Sequence, residues 1–110
     1  DDYARVVTAL KEGLGRFATG IYAIWYPQLA RSEAQQLPDK LQQLPIDSWL
    51  HATLTVRTPP PDGFGMHGSG MFVINPPWTL HRTLEAVLPY LVRVLGQDAG
   101  ARYTLDRHGD

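Results

Sequence analysis

Two short apolar runs constrain this chain more than any other feature: Ile21-Tyr22-Ala23-Ile24-Trp25-Tyr26 and Gly70-Met71-Phe72-Val73-Ile74-Asn75. Each is halted by proline, Pro27 after the first and Pro76-Pro77 after the second. The first run has no polar face and is rich in β-branched and aromatic residues. Such a run must be covered on both sides, so it reads as a central strand of the kind found in parallel α/β sheets. Alternation puts Tyr22 and Tyr26 on one face and Ala23 and Trp25 on the other.

The segments around these runs supply the covering layers. Tyr3, Val6, Val7, Leu10, Leu14 and Phe17 recur at helical spacing and predict an amphipathic helix, with Asp1 and Asp2 suited to its first turn. Gly13 and Gly15 weaken its second half by about 1 kcal/mol each, and Gly20 ends it. In residues 29–44 a leucine stripe is interrupted by Pro38, which predicts two short helices. Residues 48–57 alternate: Leu50, Ala52, Leu54 and Val56 face one way, and Trp49, His51, Thr53, Thr55 and Arg57 the other. That pattern predicts a half-exposed strand near a sheet edge, forming an antiparallel pair with 70–75. The connection Thr58 to Ser69, rich in Pro and Gly, is long for a hairpin. Leu80, Leu84, Val87, Leu88, Leu91 and Leu95 predict a helix with Thr79 as N-cap, Pro89 as a kink and Gly96 after its end. Ala101, Tyr103 and Leu105 alternate with polar residues as a short edge strand. Strands alternating with helices give an α/β layered fold, and 110 residues make room for one small domain.

Composition removes several function classes. With no cysteine, disulfides, zinc-thiolate sites and thiol catalysis are excluded, and a reducing compartment is the natural expectation. No apolar run approaches the ~20 residues that span a bilayer, so no membrane partner is expected. Ten basic residues against eleven acidic give a net charge of −1, without the basic excess of a free-standing nucleic-acid module. His51, His67, His81 and His108 have no metal-ligand spacing, so no metal site is expected, and His51 and His81 read as surface residues. Ser32, Ser48 and Ser69 sit in no nucleophile-elbow pattern. The glycines between Gly63 and Gly70 precede a strand, whereas a phosphate cradle follows one and opens a helix.

The sharpest motif is Asn75-Pro76-Pro77-Trp78, at the carboxyl end of an apolar strand, where open α/β sheets place ligands. A polar residue, two prolines and an aromatic ring make a rigid corner able to hydrogen-bond and stack on an extruded base, as amino-methyltransferases do. The same four residues also serve simply to redirect a chain.

Further segments extend the pattern: Arg16-Phe17-Ala18-Thr19-Gly20, Tyr22-Ala23, Trp25-Tyr26-Pro27, Gly65-Met66, Ser69-Gly70-Met71, Val73-Ile74 and Val87-Leu88-Pro89. In this order, and together with the Asn-Pro-Pro-Trp corner, they resemble the carboxyl-terminal part of the bacterial J-type 23S ribosomal RNA adenine-N6 methyltransferases. The resemblance runs over nearly the whole chain and is poor in residues 28–64. It implies the carboxyl-terminal half of a class I, Rossmann-like fold that uses S-adenosylmethionine to methylate an adenine N6 of 23S rRNA in the cytoplasm. Residues 1–110 would then be part of a single methyltransferase domain whose cofactor-binding half is absent. The family's catalytic Asp-Pro-Pro-Tyr would lie upstream of Asp1, and its cofactor residues further upstream. The resemblance therefore places no catalytic or cofactor-binding residue here, and the segment alone is expected to be inactive and not to bind S-adenosylmethionine.

The implied sheet makes 21–26 strand five, 48–57 strand six and 70–75 strand seven, in the spatial order five, seven, six. Strand five would lack its neighbour, which predicts self-association through the edge Ile21–Tyr26. Arg57, His67, Asn75, Trp78 and Arg82 are the candidates for RNA contact, as basic, polar and aromatic groups near strand ends. In the plainer alternative Trp78 packs under the last helix and the arginines are solvated. Two other readings stay open: a small non-catalytic α/β interaction module with a methyltransferase-like scaffold, and a small enzyme using Asn75 and Trp78 directly.

Overall fold

The computed structural model describes residues 2–17, 19–28, 32–58 and 67–109. The order of elements is α1 (Asp2–Arg16), β1 (Tyr22–Gln28), α2 (Ser32–Gln42), β2 (Trp49–Thr55), β3 (Gly68–Ile74), α3 (Leu80–Leu95) and β4 (Arg102–His108). The strands form one four-stranded sheet in the order β1-β3-β2-β4. Every neighbouring pair is antiparallel: Tyr22 lies opposite Ile74, Trp49 opposite Ile74, and Trp49 opposite His108. The order β1-β3-β2 is the expected order of strands five, seven and six.

The sheet corrects two expectations. Among the described strands β1 is terminal, where its apolar run predicts a central one, and its Ala23 and Trp25 are exposed. β2 and β3 do pair antiparallel, but at the middle of the sheet, because β4 covers β2 and β1 covers β3. The charged strand β4 takes the polar edge predicted for β2.

The two faces carry separate cores. On one, Leu10 and Leu14 of α1 and Leu37 and Leu41 of α2 bury against Tyr26, Phe72 and Ile74, with Trp49 and Ile24 packed alongside. On the other, Leu88 of α3 buries against Leu50, Ala52 and Val73, flanked by Leu80, Leu84 and Leu105. Helix α3 lies over β2 and β4. It leaves the β1 side of that face open, where Trp25 is 59 % and Met71 41 % exposed.

Helix α2 runs unbroken through Pro38, where two short helices were predicted. An interior proline costs about 3 kcal/mol in a helix. Leu37 and Leu41, at 1 % and 0 % exposure, sit one turn apart on the same face. Each buried leucine contributes roughly 1.5–3 kcal/mol, so the pair offsets the proline. Helix α3 likewise continues through Pro89.

The predicted caps differ in detail. Thr79 makes no side-chain cap bond; instead its carbonyl accepts from the Thr83 N–H and hydroxyl, each at 3.1 Å. Gly96 is extended (φ −61°), not left-handed, and its N–H donates to the Val92 carbonyl. Glycine is required there by proximity, because a side chain would collide with the Val92 carbonyl and Ala101. At the end of α1 the Tyr22 hydroxyl reaches the carbonyls of Gly13 (3.0 Å) and Phe17 (2.8 Å), which also accept from the Phe17 and Gly20 N–H groups. Phe17, predicted on the buried stripe, is 60 % exposed. The first-turn roles of Asp1, Asp2 and Tyr3 and most of the loop Thr58–Ser69 lie outside the described residues and side chains.

Candidate functional site

The antiparallel register separates the candidate residues into two groups. Gln28, Gly68, Thr55 and Arg102 are in register at one end of the sheet; Tyr22, Ile74, Trp49 and His108 are in register at the other. Seven-residue strands hold these ends about 20 Å apart. Asn75, Trp78 and Arg82 follow β3 at the second end, and Arg57 and His67 flank the first. The five residues therefore do not form one site.

At the second end, Asn75 takes a left-handed conformation (φ 56°), the one non-glycine residue with positive φ among those described. Asparagine tolerates this region better than other side chains. Its Nδ2 donates to the Gly20 carbonyl at 2.8 Å, and its main-chain N–H donates to the Ser48 carbonyl at 3.1 Å. Asn75 thus fastens the end of β3 to the chain entering β1 and to the chain entering β2. This is the bonding of a structural corner, with one carboxamide N–H held by main chain.

Trp78 is 82 % exposed, so it does not pack under α3 as the plainer alternative had it. The prolines hold it at the rim of a small cavity of about 110 Å³ lined also by Trp49, His81, Arg107 and His108. Trp49 forms the wall, stacked between Phe72 (5.5 Å) and His108 (6.0 Å). His81 Nδ1 lies 3.1 Å from Glu85, a partner one helical turn on. Arg82 is exposed.

At the first end, β1 and β2 both present their carboxyl termini, the position where α/β sheets bind ligands. His67 bridges the strands: its N–H donates to the Gln28 carbonyl (3.3 Å), and its carbonyl accepts from the Val56 N–H (3.0 Å). Its imidazole is held below the usual histidine pKa, first by burial and then by the nearby cations Arg102 and Arg57. Gln28 Oε1 accepts from the buried Thr55 hydroxyl at 2.8 Å. Asp98 accepts from the Thr58 N–H and hydroxyl and from the Gly100 N–H. Those bonds hold its carboxyl below the usual carboxylate range and lock the loop beside Arg57. A shallow groove of about 540 Å³ opens here, lined by Trp25, Leu54, Arg57, Ser69, Leu95 and Gln97. Arg102, which the sequence reading passed over, joins Arg57 and His67 because β4 starts at this end. The signal was the alternating strand that ends the chain, whose partner the sequence does not name.

The expectation that His51 is a surface residue is corrected. Its ring faces the α1–α2 layer, where Nε2 lies 2.5 Å from the Tyr26 hydroxyl and the ring tilts against Phe72 at 5.9 Å. Burial pushes the Tyr26 pKa up to about 12 and pushes His51 down, against the pull of Asp106 and Asp39. Both are neutral near pH 7 and joined by one hydrogen bond. No group of three or more metal-ligating side chains occurs among the described residues, and no helix among them is long and apolar enough to cross a membrane.

Comparison with known proteins agrees with this architecture. A crystallised Legionella pneumophila protein of the DUF519 family superposes with a TM-score of 0.83 at 26 % identity, over 97 % of this chain and 39 % of that one. The ribosomal RNA large subunit methyltransferase J of Haemophilus influenzae is 44 % identical over 106 residues, and that of Escherichia coli 46 % over 90. The chain spans about a third of the length of these curated relatives, 37 % of the first and 32 % of the second. The family model described as "Ribosomal RNA large subunit methyltransferase D, RlmJ" matches residues 1–106. A continuous match over nearly all of the sequence, with the motif order and the β1-β3-β2 arrangement, leads to one conclusion: the chain belongs to the RlmJ family of ribosomal RNA large subunit methyltransferases.

Proposed function

We propose that this chain is the carboxyl-terminal part of a single, class I methyltransferase domain that transfers a methyl group to an adenine N6 of 23S rRNA in the cytoplasm. The observation that carries this reading is the uninterrupted family match over residues 1–106, combined with coverage of only 37 % and 32 % of the relatives.

S-adenosylmethionine would supply the methyl group in the longer protein. The described residues do not fit it as a cradle. No described strand leads through a glycine-rich turn into a helix, and the groove at the first sheet end has no carboxylate among its lining residues to hold a ribose. The part of the activity borne by this segment is therefore scaffold and RNA contact. Arg57, His67 and Arg102 are the favoured contact group, since they share the end where β1 and β2 present their carboxyl termini. Trp78 offers an exposed ring for stacking at the opposite end.

A chimera tests the reading. Residues 2–109 replace the matching segment of the Haemophilus influenzae relative, and methyl incorporation into undermethylated 23S rRNA is measured. Retained methylation is expected, whereas a folded, soluble chimera without activity refutes the assignment. Calorimetry of the 110-residue chain with S-adenosylmethionine should give no heat; one-site binding would refute the placement of the cofactor elsewhere.

A further inference from the structure

We propose that the small cavity beside Trp78 is a second RNA-contact site, in which the indole stacks on one unpaired base and Arg107 holds the adjoining phosphate. The choice of ligand rests on the reading of the chain as part of an rRNA methyltransferase; the geometry does not.

The cavity is lined from β2, β4 and the corner between β3 and α3, by Leu50, Pro77, Trp78, His81 and Arg107 among others. Strands β2 and β4 stand on the side of β3 away from β1. A strand continuing the sheet past β1 would lie about 14 Å from β2 and about 19 Å from β4. The cavity therefore does not owe its opening to that side of the sheet.

Trp78 is held out by its main chain. Asn75 is anchored on the Gly20 and Ser48 carbonyls, and Pro76 and Pro77 fix φ at the next two positions. The Leu80 N–H then donates to the Pro77 carbonyl at 3.0 Å. With the backbone set on both sides, the residue is still 82 % exposed. Folding normally covers most of a tryptophan, and an open ring on a fixed corner is the platform that base stacking uses.

The charge suits a phosphate. Arg107 lies opposite Leu50 in the β2–β4 register, so it shares the face on which Leu50 packs beneath α3. It is exposed and makes no ion pair among the described residues. His81 engages Glu85 through Nδ1, which leaves Nε2 as its remaining hydrogen-bonding atom. No carboxylate is among the described lining residues.

Size narrows the ligand further. Sites that enclose a drug-sized molecule measure roughly 300–1,000 Å³, whereas about 110 Å³ admits a single planar ring. S-adenosylmethionine or a whole nucleotide would not fit inside. A duplex keeps its base faces stacked on one another, while a single strand offers a free base face beside a phosphate.

The chimera carrying residues 2–109 tests the site by filter binding of undermethylated 23S rRNA at several salt concentrations. Trp78→Ala should weaken binding by about 5- to 100-fold with little change in salt dependence, and Trp78→Phe should recover most of the loss. Arg107→Ala should weaken binding and reduce the salt dependence of log K by about 1. Both alanine variants should keep the parent's circular dichroism spectrum and unfolding midpoint, because both side chains are exposed. A short single-stranded oligonucleotide should quench tryptophan fluorescence in the parent more than in Trp78→Ala, and a duplex of the same length should not. Binding is read apart from methylation, so an inactive chimera refutes the function while these affinities still decide the site. Absent rRNA binding by the parent, parent affinity in either alanine variant, a lowered unfolding midpoint that accounts for the weaker binding, or equal quenching by the duplex would each overturn the proposal.

Discussion

Substituting Asn75 separates what its backbone needs from what its side chain holds. In Asn75→Ala two losses combine. The Nδ2 bond to the Gly20 carbonyl, 2.8 Å in the native protein, disappears; such a bond contributes about 1 kcal/mol net. The left-handed conformation at φ 56° also becomes unfavourable for alanine, by roughly 1–2 kcal/mol. The expected loss is therefore about 2–3 kcal/mol. Asn75→Gly loses the same bond but adopts the conformation freely, so it should cost only about 1 kcal/mol. Urea denaturation followed by tryptophan fluorescence, at one fixed protein concentration, measures both variants. Glycine should be the milder substitution by at least ~1 kcal/mol. Equal losses would refute the claim that the corner depends on the left-handed backbone, and a loss below ~0.5 kcal/mol for alanine would refute the structural role altogether. This comparison also bears on the Asn-Pro-Pro-Trp motif, since it measures how far the Nδ2 bond to the Gly20 carbonyl makes Asn75 a structural residue.

Other outcomes follow from the same structure. Leu41→Ala, at a fully buried position between α2 and the sheet, should lose about 2–5 kcal/mol in chemical denaturation. His51 has a folded pKa below its usual 6.5, so the folded state resists protonation more than the unfolded chain does. Stability should accordingly fall as the pH drops below about 6.5 and level off below the lowered folded pKa. His51→Gln should remove its share of that dependence in thermal melts across this range, leaving only what His67 contributes. Gly70→Ala should destabilise the fold by forcing the Tyr26 ring off the β3 backbone, visible as weakened near-ultraviolet tyrosine dichroism. In the active chimera, Arg57→Ala and Arg102→Ala should each weaken rRNA binding and reduce the salt dependence of log K by about 1, read from filter binding at several salt concentrations.

The local patterns were legible because they follow from periodicity. Leu10 and Leu14 of α1, Leu88 of α3 and Leu50 and Ala52 of β2 are buried where spacing puts them. The motif order was enough to identify the family that the match over residues 1–106 then showed. Periodicity alone did not reveal which apolar strand lay inside. Ile21–Tyr26 has an interior composition, yet its Trp25 is exposed, because α3 covers the β2 and β4 side of that face and no described element covers the β1 side. His51 illustrates the same limit: alternation set its face correctly, but the helices that cover that face come from residues 2–16 and 32–42. Pro38 shows local propensity overruled, with two buried leucines outweighing a broken helical bond.

The candidate site was the least legible part. Arg57, His67, Asn75, Trp78 and Arg82 looked alike in sequence, as polar, basic or aromatic groups near strand ends. Their grouping depends on strand direction, which is fixed only by pairing. Because β3 runs antiparallel to β1 and β2, its carboxyl end falls at the opposite side of the sheet from theirs. The sequence by itself determined the elements, the two core stripes and the family, since each rests on residue type and spacing. The tertiary structure alone decided that Asn75 is a corner, that Arg102 joins Arg57 and His67, and that His51 faces a helical layer. Those properties belong to neighbours that meet only when the chain folds.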